Sequence, residues 1–76
     1  MAIKLYTTPS CGYCTQIKRY FKENRVPFTE YNVAGDLKRA DEMMKKSGQM
    51  GVPVVDIHGR VIVGFNKTEI DRALRR

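Results

Sequence analysis

The hydrophobic pattern of the chain switches repeatedly between a strand period of two and a helix period of about 3.6. Ile3, Leu5 and Thr7 alternate with Lys4 and Tyr6 before "TPS", which predicts a first strand. Residues 12–25 carry Cys14, Ile17 and Phe21 on one helical face and Lys18, Lys22 and Arg25 on others, with Pro27 marking the exit. "FTEYNV", residues 28–33, alternates again and is rich in strand formers. "AGD" opens a second helix with Asp36 as N-cap, a stripe of Leu37, Ala40 and Met44, and Gly48 as its stop. "VPVVDI" and "RVIVGF" flank "HG", where Gly59 supplies the positive φ of a tight hairpin. "NKTEIDRALRR" forms a last helix with Ile70 and Leu74 inward and Asn66 or Thr68 as cap. The order is β-α-β-α-β-β-α. A right-handed, parallel first β-α-β unit, with the hairpin extending its sheet, gives an α/β fold: a four-stranded mixed sheet with helices on both faces.

Composition changes this picture little. At 76 residues, the chain is expected to form one domain over residues 1–76, and 42% apolar with 29% charged residues is ordinary for a globular protein. "MAIKLYTT" holds neither a long apolar run nor a cleavage site, so neither a signal peptide nor a membrane span is expected, and the expected compartment is the cytoplasm. The net charge of +6 raises the question of nucleic acid. Its distribution argues against that partner. Lys18, Arg19 and Lys22, then Lys38, Lys45 and Lys46, then Lys67, Arg72 and Arg75 are spread over all three helices and interleaved with other residue types, as on solvated faces. The surplus suits acidic partners or an anionic thiol substrate instead.

The chemistry lies in "TTPSCGYC", which holds both cysteines. A Cys11–Cys14 bridge would close too short a loop to stabilise the fold appreciably. A zinc site needs four ligands, and beyond these cysteines the chain offers only His58, placed in the hairpin turn, so no metal site is expected. A working dithiol remains. Cys-x-x-Cys beside a βαβ pattern is a redox motif. Cys11 falls at the helix start, where unpaired N–H groups and the helix dipole favour thiolate over thiol. Cys14 is three residues on, in line with Ile17 and Phe21, where burial favours the protonated form. Cys11 is thus suited to attack a disulfide and Cys14 to resolve the mixed disulfide that results.

"YTTPSCGYC", "SGQMGVPVV" and "VGF" together resemble glutaredoxins over almost the whole chain, in particular the small YruB-type proteins of bacteria and archaea, and are similar to NrdH-redoxins. The resemblance implies a thioredoxin fold and a thiol–disulfide oxidoreductase that reduces protein or glutathione mixed disulfides. It makes Pro53 the cis-proline beside the dithiol and Val52 the residue whose backbone pairs with glutathione or a substrate peptide. Tyr13 matches the aromatic residue of Cys-Pro-Tyr-Cys, while Gly12 replaces its proline. Gln49 matches a polar residue that holds the glycine carboxylate of glutathione. Thr8 falls near a lysine that many glutaredoxins use for glutathione. Gly64, Phe65 and Asn66 fall where an acidic segment fixes the γ-glutamyl end, and Asn66 and Lys67 remove that acidic contact. Phe65 offers either an apolar contact to a protein partner, as in NrdH-redoxins, or core packing. No tightly bound cofactor is implied. Glutathione is the implied co-substrate, the partners are disulfide-containing proteins, and electrons come from glutathione or a thioredoxin reductase to a monomer. The family also includes carriers of a [2Fe–2S] cluster shared between two chains and two glutathiones, the alternative function.

Overall fold

The computed structural model describes residues 3–75; Met1, Ala2 and Arg76, read above as part of the first and last segments, lie outside it. Its elements are β1 (Ile3–Thr7), α1 (Gly12–Glu23), β2 (Thr29–Asn32), α2 (Leu37–Ser47), β3 (Val54–Ile57), β4 (Arg60–Val63) and α3 (Lys67–Leu74). The sheet runs β2-β1-β3-β4. β1 is parallel to β2 with Leu5 opposite Glu30, and antiparallel to β3 with Leu5 opposite Val55. β3 and β4 are antiparallel, with Asp56 opposite Val61. The expected mixed α/β sheet is therefore present.

Strand alternation sends two sets of side chains to opposite faces. Ile3, Leu5, Val55 and Ile57 meet Ile17 and Phe21 of α1 and Ile70 of α3 on one face. Tyr6 and Val54 meet Met43 of α2 on the other. Burying each such apolar side chain is worth about 1.5–3 kcal/mol, and these two clusters hold the layers together.

Tyr6, placed by the alternation among the polar positions of its strand, is fully buried because α2 covers that face. The α2 stripe also differs from its sequence pattern. Ala40 and Met43 face inward, whereas Leu37 is 87% and Met44 42% exposed. The buried face is shifted around the helix: Ala40 belongs to both stripes, and Met43 takes the inward place expected of Leu37 and Met44. The cause is polar: Lys46 reaches Asp56 at 2.6 Å and the Tyr6 hydroxyl at 3.1 Å, and the Tyr6 hydroxyl donates to Glu42. That phase brings Met43 down with Lys46.

Element ends follow capping chemistry. α1 stops at Glu23, two residues before the patterned end, and Arg25 adopts φ 56° so that Val26 can return to the core and bond Phe21 O at 2.8 Å. Asp36 and Asn66 cap α2 and α3 by accepting from Arg39 N–H and Glu69 N–H, so the cap of α3 is Asn66 and not Thr68. His58 (φ 53°) and Gly59 (φ 93°) make the hairpin turn, which needs positive φ at both central positions. Among the described residues, no helix is long and apolar enough to cross a membrane.

Candidate active site

Three connections meet at one end of the sheet: β1–α1 with Cys11, leading into Cys14 in the first turn of the helix, α2–β3 with Val52 and Pro53, and β4–α3 with Gly64, Phe65 and Asn66. The Val52–Pro53 bond is cis, and Gly64 N–H donates to Pro53 O at 2.8 Å, tying the second and third together. Gly64 does this at φ 80°, a conformation that costs glycine little.

Cys11 is the N-cap of α1. Its extended backbone (φ −92°, ψ 112°) turns Sγ back over the first turn, where it accepts the Cys14 N–H at 3.1 Å. A sulfur thus occupies the place usually filled by a serine or aspartate oxygen, facing N–H groups that α1 cannot pair internally. Both cysteines are free thiols; Cys11 is partly exposed, and Cys14 is 1% exposed. Burial, then the hydrogen bond to Cys11, pushes the Cys14 thiol up to about 12. Gly12 at the first helical position has open space around it, so nothing steric requires a glycine there.

The other candidate residues behave unequally. Tyr13, in the first turn of α1, is 63% exposed beside the dithiol. Val52 is half-buried. Phe65 is half-buried and packs against the core with its ring 6.0 Å from that of Tyr20, which supports the packing role. Gln49 is turned inward on its own loop: its Oε1 accepts from Gly51 N–H at 2.6 Å, and its amide nitrogen donates to Gly51 O at 3.0 Å and to Ser47 Oγ at 3.3 Å. Gly51 permits this closure, since a Cβ there would lie 2.7 Å from Gln49 Oε1. Asn66 uses its Oδ1 to cap α3, at 3.2 Å from Glu69 N. Among the described residues, no cluster of three or more His, Cys, Asp or Glu is placed to hold a metal.

A family model described as Glutaredoxin matches residues 3–62, a span that includes the dithiol and the cis-proline. The chain belongs to the glutaredoxin family. It is 47% identical over 74 residues to a glutaredoxin-like 8.6 kDa protein of the rubredoxin operon of Clostridium pasteurianum, covering 97% of this chain and 99% of that one. It is 32% identical over 62 residues to glutaredoxin 3 of Escherichia coli K12, covering 82% and 75%. Among solved structures, NrdH-redoxin from Escherichia coli superposes with a TM-score of 0.84 at 28% identity, covering 95% of this chain and 93% of that one. The protein is thus a glutaredoxin- and NrdH-like redox protein with the thioredoxin fold.

In this glutaredoxin a polar chain beside the dithiol has no counterpart in the sequence pattern. Thr7, 2% exposed at the end of β1, donates from Oγ1 to Glu30 Oε2 at 2.7 Å, and Lys18 pairs with the same oxygen at 3.1 Å. The hydrogen bond from Thr7, and after it Lys18, holds the Glu30 carboxyl below its ordinary range against the opposing effect of burial. The one sequence signal for it is the placing of Lys18 four residues after Cys14. A cleft of about 640 Å³ opens at the opposite end of the sheet, lined by Arg25, Arg60, Arg72 and Arg75 over Ile57 and Leu74. It contains neither sulfur, so the thiol chemistry belongs to the shallow surface at the other end.

Proposed function

We propose that this glutaredoxin reduces protein disulfides with the Cys11–Cys14 dithiol. The observation that carries the reading is the pairing of a partly exposed Cys11 sulfur at the α1 N-cap with a buried Cys14 one turn behind it. Cys11 attacks one sulfur of a target disulfide and releases the other as a thiolate. Cys14 then attacks Cys11 Sγ, freeing the reduced target and leaving a Cys11–Cys14 disulfide. Two electrons leave the protein, and an external reductant restores them.

For that reductant we favour a thioredoxin reductase over glutathione. Gln49 and Asn66, which the family resemblance assigns to the two ends of glutathione, already have partners within the chain. Asn66 also replaces the acidic residue that would meet the γ-glutamyl ammonium. The Escherichia coli NrdH-redoxin is itself a glutaredoxin-like protein with a thioredoxin-like activity profile. The same two residues weigh against the cluster carrier, which requires glutathione to be held at this site. In this reading Tyr13, Val52, Pro53, Gly64 and Phe65 form the wall against which a target peptide lies, with Val52 offering its backbone for strand addition.

A coupled assay with a protein disulfide tests the choice, comparing thioredoxin reductase plus NADPH with glutathione, its reductase and NADPH. Turnover is expected with thioredoxin reductase and at least tenfold less with glutathione. Turnover supported by glutathione alone contradicts the assignment.

A further inference from the structure

Cys14 must lose a proton before it can displace a target from Cys11, yet burial holds that proton in place. The surroundings of Cys14 contain few groups that help. From its own helix, Lys18 stands one turn away, a spacing that puts the two Cβ atoms about 5–6 Å apart. From the β1–α1 connection, Thr8 N–H donates a hydrogen bond that favours the thiolate, and Cys11 opposes it by charge and hydrogen bond. From β2, Glu30 pairs with Lys18, and Lys22 acts on Glu30 from farther along α1. The β3 side, Val52 to Val54, has no ionisable side chain, and Lys67 of α3 lies over the Tyr20 ring at 5.2 Å. Lys18 is the one cation in this set that bears on Cys14, and it is not free to swing away: its side chain is 32% exposed, its ammonium is 3.1 Å from Glu30, and Glu30 is fastened to Thr7 at 2.7 Å.

These contacts change meaning during the reaction. While Cys11 carries a thiolate, its charge and its hydrogen bond keep Cys14 protonated. When Cys11 is bonded to a target, that charge is gone. Burial is then opposed by the Thr8 N–H and the Lys18 ammonium without interference from Cys11.

Building on the dithiol reading, we propose that Lys18 is a positioning residue for the second step, its ammonium held by Glu30 and Thr7 so that it stabilises the Cys14 thiolate formed while Cys11 is occupied. In that step the Cys14–Cys11 S–S bond forms and the Cys11–target S–S bond breaks. The Cys14 proton passes to the departing sulfur, or to solvent when the leaving thiolate is weakly basic. Cys14 is oxidised, the target sulfur is reduced, and no further reactant is required.

An aromatic disulfide that releases a coloured thiolate reads both steps in one stopped-flow trace. The first release reports attack by Cys11 and the second reports resolution by Cys14. Lys18→Met is expected to slow the second phase relative to the first by about tenfold, a partly screened charge acting over one helical turn. The inflection of the second phase with pH should move up by about one unit, the equivalent of that factor. Lys18→Arg should restore most of the rate. Glu30→Gln, which keeps a side-chain oxygen to accept from Lys18 and Thr7 while removing a competing negative charge, should leave the second phase at or above the wild-type rate. An unchanged second phase in Lys18→Met, or a slower one whose pH inflection stays in place, overturns the role of Lys18. A wild-type trace with no second release, matching that of Cys14→Ser, overturns the dithiol reading beneath it.

Discussion

Lys46→Met should destabilise this glutaredoxin by about 2 kcal/mol at pH 7, between the cost of breaking a buried ion pair and that of an exposed one. The Lys46 ammonium lies 2.6 Å from Asp56, 3.1 Å from the Tyr6 hydroxyl and 3.9 Å from Glu42. The Lys46 and Asp56 side chains are 26% and 11% exposed. Two unit charges 4 Å apart attract by about 4 kcal/mol at an effective dielectric of 20, and desolvation takes back much of that. After the substitution Asp56 keeps the Gly59 N–H, at 2.8 Å, and the weaker influence of the Lys4 charge. In a domain of this size the loss corresponds to a fall in Tm of about 8–16 °C. The pH dependence has a definite sign. Burial works against the Asp56 charge, but the hydrogen bonds from Lys46 and Gly59 hold its carboxyl below the ordinary range. Its contribution is therefore present above about pH 3.9 and is lost as pH falls through the lower folded value. Burial likewise works against the Lys46 charge, but hydrogen bonds to Asp56 and Tyr6 hold it above its ordinary value. That contribution is complete below about pH 10.4 and disappears only on rising through the higher folded value. In Lys46→Met, burial drives Asp56 to take up a proton in mild acid, so the gap from wild type should narrow between pH 7 and about pH 4. Urea unfolding followed by circular dichroism at both pH values measures this, and Lys46→Met with Asp56→Asn should recover about half of the loss by removing the stranded charge. A loss below about 0.5 kcal/mol at pH 7, the size of an ordinary surface substitution, would refute the reasoning.

Three further outcomes are expected. Gly51→Ala should displace the Gln49 amide and lower the KM for a glutathione mixed disulfide about threefold, the worth of one modest hydrogen bond; an unchanged KM means that Gln49 closure is not what limits glutathione. Gly12→Pro should stabilise the fold by about 0.4–1 kcal/mol in urea titrations, since the position is helical N1, the space is open and Cys11 is already extended; destabilisation contradicts that geometry. Leu37→Ser should change stability by less than about 0.5 kcal/mol, whereas Met43→Ala should cost about 2–5 kcal/mol; the reverse order means that the phase of α2 is wrong.

Period and caps made the fold legible. Alternation in "IKLYT", the Cys14–Ile17–Phe21 spacing and the "HG" turn are local signals, and each corresponds to the element found. The phase of α2 was not legible, because Leu37 and Met44 fit an apolar stripe as well as Met43 does. The choice was made by Asp56 and Tyr6 on strands distant in sequence. Within the site, Cys11 at the helix start and Cys14 in the core stripe follow from spacing alone. The inward turn of Gln49 depends on the absence of a side chain at Gly51, and the Thr7–Glu30–Lys18 chain depends on β1 and β2 lying side by side. Neither is visible until the chain is folded.

The central claim is that Cys11 attacks and Cys14 resolves. Intact-mass analysis of each cysteine variant after incubation with an oxidised protein substrate tests it most directly. Cys14→Ser should accumulate a covalent adduct with the substrate that a reductant dissolves, and Cys11→Ser should form none. An adduct on Cys11→Ser, or reduction of the protein disulfide by Cys14→Ser as fast as by wild type, contradicts the account.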